Sequence, residues 1–561
     1  MGYAAGGEVT TGVNNTLIGG LAGDAITTGG ENVALGRGAL SADTLGAHSV
    51  AVGFQALTTQ NFTSATDTYN VAVGYNSGKA VTTGTRNTLI GGLAGDATTT
   101  GVNNTALGYA ALTANTTGAS NTASGYSALG ANTTGSDNVA VGRDALLTNI
   151  TGVKNVAAGN FSLRYNTGDN NTAVGHQALD INTTASNNAA YGYRALYLNT
   201  TGASNVALGA YALDANTTAG NNTAVGYASL GANTTGTFNT ALGRQALLLN
   251  TTADNNVAVG GNALFQNTTG ANNSAVGAYA LDANTTGTQN TALGASALDA
   301  NTTASYNTAV GYAALGASDT GTNNTAIGKG TLSTQSGAIN DNTAVGYNAG
   351  NALTTATQST FVGSTTGDSI TTGSQNTAMG FAALSTCQTG TYNVAVGRAA
   401  LQLVTGGTNT ALGGNAGNAV TTGENNLILG YNADTAAVDS DNSVTLGDAN
   451  IAAIRCQVQT ISSLSDARDK KNIEPLPVGL DFINSLNPVK FTWDMRDGAK
   501  VDIDEAGFIA QELDQAQQDH DAEDYLQLVL KDNPEKLEAS YGKLVPALVK
   551  AIQELTARIE T

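Results

Sequence analysis

Residues 226–243 read Gly226-Tyr227-Ala228-Ser229-Leu230-Gly231-Ala232-Asn233-Thr234-Thr235-Gly236-Thr237-Phe238-Asn239-Thr240-Ala241-Leu242-Gly243. The frame G-x-x-A-L-x-x-N-T-T-G-x-x-N-T-A-V recurs from Gly2 to Gly447. It is marked by 27 anchor glycines, and 22 of the 26 intervals between them are 17 residues long. The exceptions are 21 residues (Gly53 to Gly74), 18 (Gly328 to Gly346) and 16 (Gly159 to Gly175 and Gly397 to Gly413). A period kept this strictly signals a repeat architecture in which each unit stacks on the next.

The unit's chemistry points to β coils. Seventeen residues are too few for a pair of helices, and Asn-Thr-Thr-Gly is turn chemistry. Asn-Thr-Ala-Val alternates polar and apolar residues, as a short half-buried strand does. One coil offers too few apolar side chains to fold alone, so stacked coils must share a continuous core. With coils about 4.8 Å apart, 26 intervals imply a rod roughly 125 Å long. The irregular intervals are expected to be absorbed as bulges or loop changes. The Ala-Leu pairs, such as Ala178-Leu179 and Ala246-Leu247, leave two readings open: each coil's own core, or a seam with sister chains. The Asn and Thr columns are expected to form hydrogen-bonded ladders at the turns. The residue after the anchor glycine is often large or basic (Tyr109, Tyr126, Arg143, His176). This suggests a rim position whose rings stack along the rod, with a sugar-binding stripe as the rival reading.

Composition divides the chain. Only 31 of residues 1–447 are charged, against 33 of the last 114, where all five prolines and the single Trp493 also lie. The expected organisation is a repeat shaft over 1–447, a connecting strand and tip over 448–464, and an α+β domain over 465–561. The net charge of −20 argues against nucleic-acid binding, which needs clustered Lys and Arg. Cys387 and Cys456 offer no disulfide framework and read as small buried residues. No run of 18 apolar residues is present, so no membrane insertion is expected. No signal peptide opens the chain. It begins inside a repeat, which implies either a fragment or an N-terminal end held by another protein. The pattern implies no cofactor and no metal.

The N-T-A-V-G-x-x-A-L strand pair resembles the head repeats of trimeric autotransporter adhesins, the YadA-like left-handed parallel β-roll. Those repeats are shorter, and this one adds an N-T-T-G segment. The resemblance implies a homotrimer of side-by-side β-rolls.

Beyond Gly447 comes Ser465-Asp466-Ala467-Arg468-Asp469-Lys470-Lys471-Asn472-Ile473. It fits S-D-x-R-x-K with an apolar residue three positions after the lysine. Further on stand Leu476, Pro488-Val489, Phe491-Thr492-Trp493, Gly507-Phe508-Ile509-Ala510-Gln511-Glu512, and Tyr541-Gly542-Lys543-Leu544-Val545-Pro546 leading into a helix. In this order the motifs resemble the auto-processing intramolecular chaperone of phage tailspikes and tail fibres.

Serine is a weak nucleophile that needs a base. A lysine can serve when its amine is neutral, which requires its pKa to fall from about 10.4 through burial or positive neighbours. Arg468 and Lys471 flank Lys470 and are expected to act in that sense. The resemblance implies that Ser465 attacks the carbonyl of Leu464 while Lys470 takes the hydroxyl proton. The ester then hydrolyses and releases residues 465–561. Asp466 either orients the loop or caps the start of a helix. Glu512 is a supporting candidate with a salt bridge as its plainer role. Leu544, Leu548, Ile552, Leu555 and Ile559 step by 4, 4, 3 and 4, the spacing of a coiled-coil seam.

Taken together, the sequence predicts an all-β repeat rod (parallel β-roll or solenoid, homotrimeric) followed by a small α+β domain ending in a trimeric coiled-coil helix. Its expected role is a phage tail fibre in the virion, made in the host cytoplasm and matured by a single self-cleavage. Expected partners are two sister chains, a virion or baseplate protein, and a host surface glycan or protein receptor. The alternative is a bacterial surface adhesin or extracellular filament. A glycan hydrolase is disfavoured, because paired carboxylates in a groove do not fit the sparse, scattered acids of the repeats.

Overall fold

The computed structural model describes residues 2–334, 339–451, 454–455, 465–496, 500–531 and 534–560. The chain is a long parallel β-solenoid of about 25 turns followed by a small α+β region with a terminal helix. It divides into two compact units, Met1–Asp341 and Asn342–Thr561.

In the first unit each coil contributes one three-residue strand. Thr240–Leu242 pairs in parallel with Thr223–Val225 on one side and Val257–Val259 on the other, always one repeat apart. The middle residue, Ala241, points inward and is fully buried, while Thr240 and Leu242 face outward. This is the alternation that the sequence pattern implied, repeated once per coil. The Ala-Leu pair also lies inside: Ala178, Leu179, Ala246 and Leu247 have no exposed surface. The pair is therefore each coil's own core, and the alternative reading as an inter-chain seam is corrected.

Two ladders of buried asparagine hold the coils together. Asn239 receives no solvent. Its backbone N–H donates to Asn222 Oδ1 at 2.9 Å, and its own Nδ2 donates to the Ala253 carbonyl at 2.8 Å. Asn233, from the Asn-Thr-Thr-Gly turn, donates to Asn216 Oδ1 at 3.0 Å and to the Gly236 carbonyl at 2.9 Å. Burial of an amide is costly unless its donors and acceptor are paired; the neighbouring coil and the residue's own turn supply those partners in most coils, and the turn ladder is interrupted at Asn149 and Asn301, whose Oδ1 atoms are buried without one. Thr234 adds a third column, donating from Oγ1 to the Thr251 carbonyl at 3.0 Å.

Three of the irregular intervals, Gly53 to Gly74, Gly159 to Gly175 and Gly397 to Gly413, leave the strand pairing intact. Between Gly159 and Gly175 one threonine is missing from the turn (Asn166-Thr167-Gly168), yet Val156 still pairs with Thr172. The longer interval from Gly53 to Gly74 adds a short strand, Thr66–Asp67, that pairs with Gly46–Ala47.

Core volume is conserved by complementary swaps. In the second unit Phe361 stands between Ala344 and Ala378 in the middle-strand column and is fully buried. In that coil the usual leucine is Gly367, where a Cβ would lie 2.5 Å from the Phe361 ring, and Ile370 replaces the ladder asparagine. Leu17, Gly23 and Ile26 repeat the exchange near the start of the chain. A close-packed interior tolerates such swaps only when total volume is kept.

Acidic residues on the coils are strained by burial. Asp282 and Asp299 sit one repeat apart, and burial pushes both carboxyls above the ordinary 3.8, with Asp299 adding repulsion at Asp282. Asp180 and Asp214 face Arg164 and Arg194, and burial still raises both. A raised carboxyl holds its proton more tightly folded than unfolded. Stability is therefore gained as pH falls through the raised value, and the gain is complete below the unfolded value. Hydrogen exchange of peptides from residues 277–311 should slow as pH is lowered from about 7 towards 4, after correction for intrinsic exchange. The Asp282→Asn/Asp299→Asn variant should lose most of that pH response.

Among the described residues the C-terminal region packs four α-helices on a small core. They are α1 (Leu480–Ser485), α2 (Ala510–Asp519), α3 (Glu523–Leu526) and α4 (Val545–Glu560). Val478, Phe482, Leu513, Leu526 and Leu528 form its centre. A hairpin, Val489–Asp494 with Val501–Gly507, carries Phe491 and Trp493 in edge-to-face contact. The N-terminus of α1 begins at Gly479, whose missing side chain leaves room for Glu554 of α4. That carboxylate accepts from the Leu480 N–H at 2.8 Å, a favourable position for an anion at a helix start.

Candidate processing site

Ser465 and Lys470 lie on the two sides of one 3₁₀ turn, Ala467–Asp469. Asp466 starts that turn as its N-cap, accepting from the Arg468 N–H at 2.9 Å. The turn folds the chain back so that Lys470 Nζ donates to Ser465 Oγ at 2.6 Å. The nucleophile and base candidates are thus brought into direct contact by local structure alone. Both side chains are exposed in the single chain. Leu464 lies outside the described residues, as does Cys456. Cys387 is buried, and burial raises its thiol.

Arg468 is paired within the turn. Its guanidinium turns back to Asp466, with Nε 3.1 Å from both carboxylate oxygens. That pair, together with the Arg468 N–H, holds the Asp466 carboxyl below its ordinary value. The charge of Arg468 is therefore paired with Asp466 at the turn. Asp466 caps the 3₁₀ turn and also pairs with Arg468.

Glu512 stands elsewhere, in the first turn of α2, where Oε2 accepts from Asn487 Nδ2 at 3.1 Å. It has no hydrogen bond to Ser465 or Lys470, and its contact is a neutral amide rather than a salt bridge. What the sequence could not show is how the two later motifs meet. The Tyr541 hydroxyl accepts from the Phe508 N–H at 3.1 Å, and the two rings pack edge to face. A Cβ on Gly507 would lie 2.7 Å from that hydroxyl, which explains a glycine at the head of Gly507-Phe508-Ile509-Ala510-Gln511-Glu512.

α4 has two unlike faces. Ala547 and Ala551 are buried on the side that meets α1 and the core. Leu548, Ile552, Leu555 and Ile559 project on the other side, with Ile552 63% exposed. Leu544 departs from that set. It closes the 3₁₀ turn Tyr541–Leu544, before the helix proper, and is only 5% exposed within the domain's own core.

Along the coils, the large residues after the anchor glycines form a ladder. Tyr109 and Tyr126 stack at 5.6 Å, Phe54 and Tyr75 at 5.5 Å, and Arg143 lies over both Tyr126 and Phe161. Where such rings fall on adjacent coils they meet face to face or edge to face, which favours the structural reading over a sugar platform at those coils.

Residues 465–522 match the family model described as the chaperone of endosialidase. The match begins at Ser465 itself and takes in α1, the hairpin and α2. No curated protein and no solved structure matches the chain. Among the described residues no helix is long and apolar enough to cross a membrane, and no group of three or more His, Cys, Asp or Glu side chains is placed to hold a metal ion.

Proposed function

We propose that this chain is a homotrimeric tailspike- or tail-fibre-type protein whose C-terminal region, 465–561, assembles three copies and then cuts itself off before Ser465. One observation carries the reading. The residue that opens the chaperone match, Ser465, is the one in hydrogen-bond contact with Lys470. In this division residues 1–447 form the shaft and 448–464 the new tip, which is the proposed contact region for a host-surface receptor. The resemblance of the repeats to adhesin heads supports side-by-side β-rolls.

The chemistry follows from the contact with its proton reversed. As a neutral amine, Lys470 accepts the Ser465 hydroxyl proton while Oγ attacks the carbonyl carbon of residue 464. The amine of Ser465 leaves with a proton, and the acyl group rests on Oγ as an ester. Water then cleaves the ester, giving a carboxylate at 464 and a free serine. A lysine is favoured in its neutral form by burial. Both side chains are exposed in one chain, so the burial must come from sister chains, which couples cleavage to assembly.

The exposed face of α4 is the proposed trimer contact. Three such faces would bury Leu548, Ile552, Leu555 and Ile559 against their equivalents. The Ile552→Asp/Leu555→Asp variant, whose changes lie away from the buried Ala547 and Ala551, should remain folded but sediment as single chains. It should also leave more than about nine-tenths of the chain uncut under conditions that fully process the parent, a tenfold effect being about 1.4 kcal/mol. Trimers that still process would overturn the coupling. Mature protein should show fragments of about 464 and 97 residues by intact mass; a single full-length species from assembled trimers would overturn the proposed function.

A further inference from the structure

A cleft of about 920 Å³ opens in the C-terminal region, at the upper end of the range for clefts that take a ligand. Two of its walls are runs of consecutive residues, 491–496 and 535–539. Each wall includes a strand of a two-stranded sheet. Among the described residues, Val489–Asp494 pairs only with Val501–Gly507, and Glu538–Ala539 only with Val529–Leu530. Neither of those partner strands lines the cleft, so both walls turn their unpaired edges towards it. Half-buried Phe491, Trp493 and Leu537 supply apolar surface, and so do Phe508 and Tyr541, which pack edge to face. Arg496 Nη2 donates to the Glu535 carbonyl and ties the two walls together. A free strand edge offers a row of backbone donors and acceptors that an added strand satisfies. Such an edge beside aromatic rings suits an extended, uncharged peptide.

The chain carries one in the right place. Residues 456–464, outside the described structure, read Cys456-Gln457-Val458-Gln459-Thr460-Ile461-Ser462-Ser463-Leu464. They contain no charge and no proline, in a C-terminal part where 33 of 114 residues are charged. Val, Thr and Ile fit a pleated strand. With nine residues the segment is longer than either wall, of six and five. It ends at Ser465, whose Oγ meets Lys470. A segment held extended would fix the carbonyl of residue 464 for attack, and fixing the reacting groups supplies a large part of a rate. The residues matched by the family model include the first wall and Phe508.

We propose that this cleft is the subsite for the acyl side of the self-cleavage, and that residues 456–464 lie in it as an added strand in the assembled precursor. The proposal rests on the self-cleavage reading above and adds what holds the peptide to be cut.

Photo-crosslinking in the full chain tests it. The chain carries Ser465→Ala, so that it stays uncut, and p-benzoylphenylalanine in place of Leu537. A second version places the same group at Thr492, exposed on the opposite wall, and a control places it at Gln518, exposed on α2. Circular dichroism and sedimentation should match the parent for each. Trypsin cuts after Arg455 and Arg468, so the segment leaves as the single peptide 456–468. Trimers irradiated and digested should show at least about tenfold more of that peptide linked to position 537 or 492 than to 518, as expected for a neighbour held at high effective concentration. Links from both cleft positions to other peptides, or equal linking from 518, overturn the subsite. In the Ser465 parent, Ile461→Asp should slow processing of trimers by about tenfold or more, since a charge would be carried into an apolar cleft, and Ile461→Val should process as the parent does. Equal rates for Ile461→Asp and the parent overturn the subsite as well. A parent that assembles and is never cut overturns the proposed function and the cleft's role with it, whereas a parent that is cut while both positions link elsewhere overturns the cleft alone.

Discussion

Ser465→Ala should yield one full-length band on a denaturing gel where the parent yields two. No other side chain in the described structure contacts the Lys470 ammonium as Ser465 does, so no substitute nucleophile is at hand. Lys470 can be tested without removing its charge. Lys470→Arg keeps a cation near Asp466 but cannot give up its proton in a protein. It should slow cleavage by about 10²- to 10⁴-fold, the usual contribution of a general base, and Lys470→Ala should do the same. Both variants should still sediment as trimers, since neither residue belongs to the exposed face of α4. Cleavage at the parent's rate in Lys470→Arg trimers would exclude lysine as the base. Asp466→Asn retains a capping oxygen but loses the ion pair with Arg468. It should therefore slow processing less than either lysine variant, by positioning alone.

Much of this arrangement was legible in the chain, and the reasons for the gaps are physical. The period of 17 gave the stacked coils because translation along a solenoid repeats every contact, so a sequence repeat and a structural repeat are the same thing. Ser465 and Lys470 were singled out by the motif they share with the chaperone family, and their contact is local because a single short turn joins them. Leu544 was misplaced because spacing does not reveal where a 3₁₀ turn gives way to a helix. The Arg468–Asp466 pair was not read from the sequence for a related reason: two residues apart, they are neighbours only after the turn forms. The Ala-Leu ambiguity could not be resolved by pattern, since an apolar pair looks the same whether it meets its own coil or another chain. One feature had no sequence signal at all. Leu230 and Leu247 are buried with φ of +50° and +53°, a region costly for leucine by about 1–2 kcal/mol. The coil tolerates this because each turn is stacked on another of the same shape. Leu247 N–H donates to the Ala263 carbonyl at 3.0 Å.

The sharpest test of the coil is a pair of adjacent glycines that should respond in opposite ways. Gly260 is an anchor with φ of +133°. A Cβ there would lie 2.6 Å from both the carbonyl carbon and the oxygen of Gly277, the anchor of the next coil. Those atoms are backbone, held by strand pairing on both sides, and cannot swing away. Gly260→Ala thus combines a forbidden backbone angle with a contact that only separation of the coils relieves. It should cost about 3 kcal/mol or more locally. Gly261 follows directly, has no atom within 4 Å of its would-be Cβ, and stands where other coils carry Tyr109 or Arg143. Gly261→Ala should be neutral or stabilise by about 0.4–1 kcal/mol, by restricting the unfolded chain. Because each coil contacts only its neighbours, the damage from Gly260→Ala should be confined. Hydrogen exchange should accelerate over roughly one repeat on either side, residues 243–277, and leave coils near Gly108 as protected as in the parent. If both alanines behaved alike, the anchor glycines would be turn residues chosen for flexibility, and the stacking of glycine on glycine would not be what fixes the period of the chain.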